Sequence, residues 1–142
     1  MKTKSLLVGV AALCLILSPV MGLTEDWSPK GSIKLLVGFG AGGSTDTMGR
    51  LVAAQVEENT GWNVVVENKP GGGGVAMLSG LMNEKPDGST LGLAVNVPIL
   101  LNLAKRGDKL PFKIDTFDYI GTITKGEVAL VARSDAPFDD IN

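Results

Sequence analysis

Between Ser32 and Asp46 the chain reads SIKLLVGFGAGGSTD, and this stretch restricts the fold more than any other. Ile33, Leu35, Leu36, Val37 and Phe39 form an apolar run with the length and content of a buried strand. The run breaks into Gly38, Gly40, Gly42 and Gly43, and Ser44, Thr45 and Asp46 follow as helix-capping residue types. Met48, Leu51, Val52 and Val56 then recur at helical spacing. Strand, glycine-rich turn and helix start together make an anion site in an α/β protein. Backbone N–H groups at the helix start lack intrahelical partners, the helix dipole adds partial positive charge, and glycine allows close approach. The pattern points to an anion without naming it.

The elements downstream repeat this grammar. A helix is expected from Thr45 or Asp46 to about Asn59, stopped at Gly61, and Asn63 to Asn68 (NVVVEN) reads as a second strand. A second glycine cluster, Gly71 to Gly74, precedes a shorter helix at about Val75 to Asn83. After the turn Lys85-Pro86-Asp87-Gly88, Thr90 to Val95 is expected as a third strand and Val97 to Lys105 as a third helix. Phe117 to Thr124 and Glu127 to Ala132 read as two further strands. The first strand lacks clean alternation, as a strand covered on both faces does. Strands alternating with helices imply an α/β fold: a mostly parallel sheet, flanking helices, and ligand-facing loops at the strand C-terminal ends.

The first 22 residues are a separate object. Lys2 and Lys4 precede an apolar stretch from Ser5 to Leu17, and Val20-Met21-Gly22 gives a small-residue exit. This is the anatomy of a cleaved secretory signal, with an apolar stretch too short to span a bilayer. The expected division is residues 1–22 as signal and 23–142 as the folded part, with no stable membrane insertion after cleavage. The single cysteine, Cys14, lies inside the signal, and the chain has no histidine. Zinc or copper sites lose their usual ligands, and Ser-His-Asp or Cys-His catalysis has no histidine to use. A formal net charge of −2 provides no basic field for nucleic acid. Composition leans towards binding rather than chemistry, with no catalytic residue, metal or cofactor expected.

One motif pulls the other way. Gly38-Phe39-Gly40-Ala41-Gly42-Gly43 matches G-x-G-x-x-G, and Glu67 ends the second strand where a ribose-binding acid would stand. The enzymatic alternative is a fragment of a secreted α/β enzyme that uses this loop for phosphate, an oxyanion or a dinucleotide. Against a dinucleotide stand the export signal, an acidic Asp46 beside the pyrophosphate position, and a second glycine cluster without a role. No Gly-Lys-Ser/Thr follows the glycines, so a P-loop is excluded.

Larger pieces carry a resemblance. Trp27-Ser28-Pro29-Lys30 leads into Ile33-Lys34-Leu35-Leu36-Val37, and Phe39-Gly40-Ala41-Gly42-Gly43-Ser44-Thr45-Asp46 follows. Then come Val64-Val65-Val66-Glu67-Asn68-Lys69-Pro70-Gly71-Gly72-Gly73-Gly74 and Pro86-Asp87-Gly88-Ser89-Thr90-Leu91. In this order, from Trp27 to about Arg133, the chain resembles the Bug family, the extracytoplasmic solute receptors of tripartite tricarboxylate transporters. The resemblance implies a two-lobed periplasmic binding protein fold that captures a small di- or tricarboxylate or related organic acid. It implies a periplasmic location and membrane permease subunits as partners. Family members are about twice this length, so the chain is expected to be an N-terminal fragment, truncated at the C-terminus, that carries most of the first lobe. Two departures, Gly38-Phe39-Gly40-Ala41 where the family commonly has proline and Val75-Ala76-Met77 where it often has Asn and Gly, bear on the ligand rather than the fold.

By position, the resemblance assigns Phe39, Gly42, Gly43, Ser44 and Thr45 to one ligand carboxylate, with Gly72 and Gly73 lining the same cleft. Asn96 is either a polar contact or a cap for the helix from Val97. Asp46 is expected as a structural cap or loop tie that asparagine could replace at small cost. Arg50 and Lys69 either add positive potential at the mouth or are solvated surface, and Trp27 is expected as a packing anchor.

Overall fold

A computed structural model describes residues 27–126; the signal segment and the strand expected at Glu127 to Ala132 lie outside this range. Its elements alternate: β1 (Ile33–Val37), α1 (Ser44–Thr60), β2 (Val64–Asn68), α2 (Val75–Leu81), β3 (Thr90–Leu93) and α3 (Asn96–Arg106). A 3-10 turn, Gly72–Gly74, leads into α2. The strands form one parallel sheet in the order β2-β1-β3. Leu35 stands beside Val66 on one neighbour and Leu91 on the other. The expected α/β architecture is what the chain adopts.

The central strand has no alternation because both of its faces are covered. On one face α1 lies so close that a Cβ added to Gly49 would stand 3.1 Å from Val37 and 3.3 Å from Leu93. On the other face Leu36 packs with Met77 and Leu78 of α2 and with Leu110 and Phe112. Leu36, Val37 and Met77 are fully buried. Parallel strands with a helix on each face therefore explain the continuous apolar run. Trp27, ahead of β1, meets Trp62 edge-on at 5.6 Å and donates its indole N–H to the Asp87 carbonyl at 2.9 Å. It anchors the chain while staying about half exposed.

Several boundaries differ from those read off the sequence. β1 stops at Val37 and β3 at Leu93, because the chain leaves the sheet at the loops rather than at the last apolar residue. The first helix begins at Ser44, and it ends at a left-handed Gly61 whose N–H reaches the Glu57 carbonyl at 2.8 Å. α2 ends at Leu81, and α3 begins at Asn96. The strand expected at Phe117 to Thr124 is absent. Phe117 packs edge-on against Phe112 at 5.7 Å, while Tyr119 and Ile120 are 72% and 85% exposed. Apolar and β-branched residues favour a strand only where a neighbouring strand and a covering layer receive them, and no described strand lies beside this segment.

Replacing Leu36 by alanine removes a side chain from the closed contact between β1 and α2. It should cost about 2–5 kcal/mol of stability, whereas alanine at the exposed Leu51 should cost less than about 0.5 kcal/mol. Urea denaturation of the two variants measures the difference.

Candidate functional site

Because the strands are parallel, the loops after them emerge at one edge, and each helix starts there. Loop 38–43 is the centre of that edge. Two bonds fasten its origin to the sheet: the Gly38 N–H to the Leu93 carbonyl at 3.2 Å, and the Lys69 N–H to the Val37 carbonyl at 2.8 Å. Within the loop, Gly42 has φ +80°, a left-handed conformation that a β-branched residue resists. The Gly43 N–H reaches the Gly40 carbonyl at 3.4 Å. Gly43 itself is extended, with φ −77°, and is the N-cap. The strained position in this loop is therefore Gly42 rather than Gly43.

The first intrahelical bond of α1 runs from the Thr47 N–H to the Gly43 carbonyl at 2.9 Å. The N–H groups of Ser44 and Thr45 precede it and donate to no acceptor among the described residues. Ser44 is exposed, Thr45 is half-buried, and neither hydroxyl is engaged among the described residues. These are backbone and side-chain donors at the positive end of a helix of 17 residues.

Asp46 is not the N-cap. It is the third residue of α1, and its buried carboxylate turns back onto the loop. One oxygen accepts from the Gly42 N–H at 2.8 Å and from Arg50 Nε at 3.1 Å. The other accepts from Asn68 Nδ2 at 2.9 Å and stands 3.0 Å from Arg50 Nη2. Arg50, then the Gly42 N–H, then Asn68 hold the acid form off and lower its pKa to about 2. Asparagine would present an amide N–H₂ to donors, so the expected mild effect of that substitution gives way to a larger one. Arg50 is thereby committed to Asp46 rather than to the mouth, and Lys69 Nζ lies 3.9 Å from Glu67.

Asn68 was not singled out in the sequence. It closes β2 opposite Val37 and donates to both the Phe39 carbonyl, at 3.0 Å, and Asp46. The available signal was a polar residue ending an apolar strand at the edge that carries the loops.

The second glycine cluster joins the first directly: a Cβ on Gly38 would stand 3.0 Å from the Gly74 Cα. Gly73 has φ +64°, and a Cβ there would meet Pro98 of α3 at 2.7 Å, which excludes larger residues. Asn102 Nδ2 donates to the Gly72 carbonyl at 3.0 Å. Gly72 is exposed and Gly73 half-buried. Asn96 begins α3 at the same edge; Val95 is the N-cap, and the Asn96 side chain caps nothing. Its capping alternative is therefore corrected, and the side chain is exposed.

Two surface hollows lie away from this edge. One, of about 430 Å³, rests on Trp27, Pro86, Asp87 and Gly88 at the strand N-terminal ends; the other, of about 410 Å³, lies among Gly107 to Thr116. Both the carbonyl and the carboxylate of Asp87 already accept hydrogen bonds, from Trp27 and from the Ser89 N–H. At the strand C-terminal edge, by contrast, the Ser44 and Thr45 N–H groups at the start of α1 have no acceptor among the described residues.

The Asp46 tie should show in acid. Its folded-state pKa lies below the ordinary carboxylate value of 3.8, so its contribution is complete above about pH 4 and is lost as pH falls towards 2. Melting temperatures of the wild type and Asp46→Asn between pH 7 and 2 should differ at neutral pH and converge at the acid end. A difference curve isolates this group from Glu84 and Asp87, whose pKa values are also lowered.

Comparison with known proteins follows the same line. The family described as tripartite tricarboxylate transporter family receptor matches residues 48–142. A UPF0065 protein of Bordetella pertussis is 33% identical over 141 residues, covering 99% of this chain and 43% of the relative. Protein BugT of the same organism is 33% identical over 110 residues, covering 77% of this chain and 33% of the relative. A solved structure described as a periplasmic transporter superposes with a TM-score of 0.56 at 38% identity, over 61% of this chain and 29% of that one. The chain thus spans less than half the length of these relatives.

Proposed function

Since the chain belongs to the tripartite tricarboxylate transporter family of receptors, we propose that it forms most of the first lobe of a periplasmic solute receptor. The receptor captures a small di- or tricarboxylate and presents it to the membrane permease subunits of its transporter. The observation that carries this reading is the start of α1, where the Ser44 and Thr45 N–H groups lack acceptors among the described residues beside a loop tied down by Asp46. A carboxylate placed there accepts from both N–H groups and from the Ser44 and Thr45 hydroxyls. Phe39, Gly42 and Gly43 shape the approach, and Gly72, Gly73 and Asn96 line the adjoining part of the edge. The ionised Asp46 does not repel this ligand outright, because Arg50 neutralises it in a bidentate pair within hydrogen-bonding distance.

The chemistry proposed is binding, without a catalytic residue or a cofactor. Residues 1–22 direct export, and among the described residues no helix is long and apolar enough to cross a membrane. The enzymatic alternative shares the loop but would need turnover, and in its dinucleotide form an acid free to bind a ribose. Among the described residues, the only acid at the end of β2 besides the engaged Asp46 is Glu67, which lies exposed near Lys69, and the second glycine cluster has no role in that reading.

Thermal denaturation of the full-length receptor with succinate, adipate or citrate tests the proposal. At a hundred times Kd, a bound carboxylate stabilises by about 2.7 kcal/mol, and neutral amides of the same acids should not. Removing one hydroxyl, by Ser44→Ala or Thr45→Ala, should weaken the carboxylate roughly tenfold. Gly43→Val should abolish binding: its Cβ would stand 3.3 Å from the Gly40 carbonyl and its branches at the approach to the N–H groups. Stabilisation by amines in place of carboxylates would overturn the anion reading.

A further inference from the structure

Loop 38–43 has few ties of its own. Its internal bond, Gly43 to Gly40, is long at 3.4 Å, and Gly38 to Leu93 holds only the point where it leaves the sheet. Two side chains fix the rest. Asp46 takes the Gly42 N–H, and Asn68 takes the Phe39 carbonyl at 3.0 Å while also holding Asp46 at 2.9 Å. The neighbours determine the orientation of the Asn68 amide. Both groups near Nδ2 are acceptors, while Oδ1 faces Arg50 Nη2 at 3.4 Å.

We infer that Asn68 is a positioning residue for carboxylate recognition, setting loop 38–43 relative to the N-terminus of α1 through the Phe39 carbonyl and Asp46. The inference rests on the receptor reading for its ligand but not for its geometry. The parallel register puts Asn68 beside Val37, the last residue of β1, so its side chain reaches the loop just where the chain leaves the sheet. Three groups then move together: the Phe39–Gly40 peptide, the Gly42 N–H and the first turn of α1. Without the amide donor the Phe39 carbonyl loses its partner and Asp46 keeps only Arg50 and Gly42. The loop is then free to rotate its peptides, and the N–H groups of Ser44 and Thr45 no longer meet a ligand held by a fixed wall. Asn68 touches no ligand in this scheme. It acts through the loop.

The test uses the full-length receptor with Asn68→Leu, which keeps the side-chain size and removes the donor, and with Asn68→Asp, which keeps the shape and cannot donate when ionised. Amide hydrogen exchange is followed at Gly42 and Gly43 in the loop and at Lys34 in β1, whose N–H donates to the Ser89 carbonyl. A positioning role predicts exchange faster by about tenfold or more at Gly42 and Gly43, with Lys34 unchanged. Equal acceleration at all three sites, or none at the loop, would overturn it. Binding of succinate, adipate and citrate is measured in parallel by titration calorimetry. Affinity for whichever acid the wild type binds should fall about tenfold in both variants. Loosened loop amides with unchanged affinity would also overturn the inference. Should the wild type bind none of these acids, the receptor reading fails, and the exchange experiment alone decides the role of Asn68. If Asn68→Leu does not fold, Asn68→Asp carries the same comparison.

Discussion

The carboxylate of Asp46 organises the edge of the sheet from which the strand-to-helix loops emerge. From the first turn of α1 it gathers the Gly42 N–H, the Arg50 guanidinium and the Asn68 amide. A loop of glycines alone would leave a binding site without a fixed shape, because glycine loses more conformational freedom on ordering than any other residue. An acid one turn further along the chain supplies the missing constraint. It converts the flexible stretch between β1 and α1 into a wall joined to both β2 and the helix.

That constraint also makes an acidic residue compatible with the proposed anion site. Its charge is taken up inside the protein. Asp46 is almost fully buried, and its side-chain exposure is 4% against 55% for Arg50. The pair is neutral overall, and its acceptor oxygens are occupied by groups of the protein. Among the described residues, the Ser44 and Thr45 N–H groups of the same turn donate to no acceptor. The helix start therefore divides its work: one side chain folds inward to hold the loop, and the backbone N–H groups remain open, as the proposed carboxylate site requires. The second glycine cluster supports this arrangement from behind, because the contact of Gly38 with Gly74 brings the two loops into direct packing.

Much of this was legible in the amino-acid sequence. The unalternating run of β1 signalled a strand covered on both sides, the glycine clusters marked the loop edge, and Gly61 marked the end of α1. What escaped depends on partners distant in sequence. Asp46 was read as a cap or a loop tie, and it is the tie; that Asn68, 22 residues away, shares in it could not be read locally. Asn68 looked like the polar end of a strand, since only the parallel register places it beside Val37. The capping alternative for Asn96 rested on the preference of asparagine for that position, but the chain turns into the helix one residue sooner. At Phe117 to Thr124 β-propensity was misleading: strand formation needs a neighbour, and propensity carries no information about whether one is present.

The central claim is that loop 38–43 and the start of α1 receive a carboxylate through backbone N–H groups. The most direct measurement is a map of amide chemical shifts in the ¹⁵N-labelled full-length receptor as succinate, adipate or citrate is added. The account predicts the largest saturable shifts at Ser44 and Thr45, smaller ones at Gly43 and the Gly72–Gly73 turn, and none at the Trp27–Gly88 edge. Saturable shifts confined to Trp27, Asp87 and Gly88, with Ser44 and Thr45 unmoved, would contradict it.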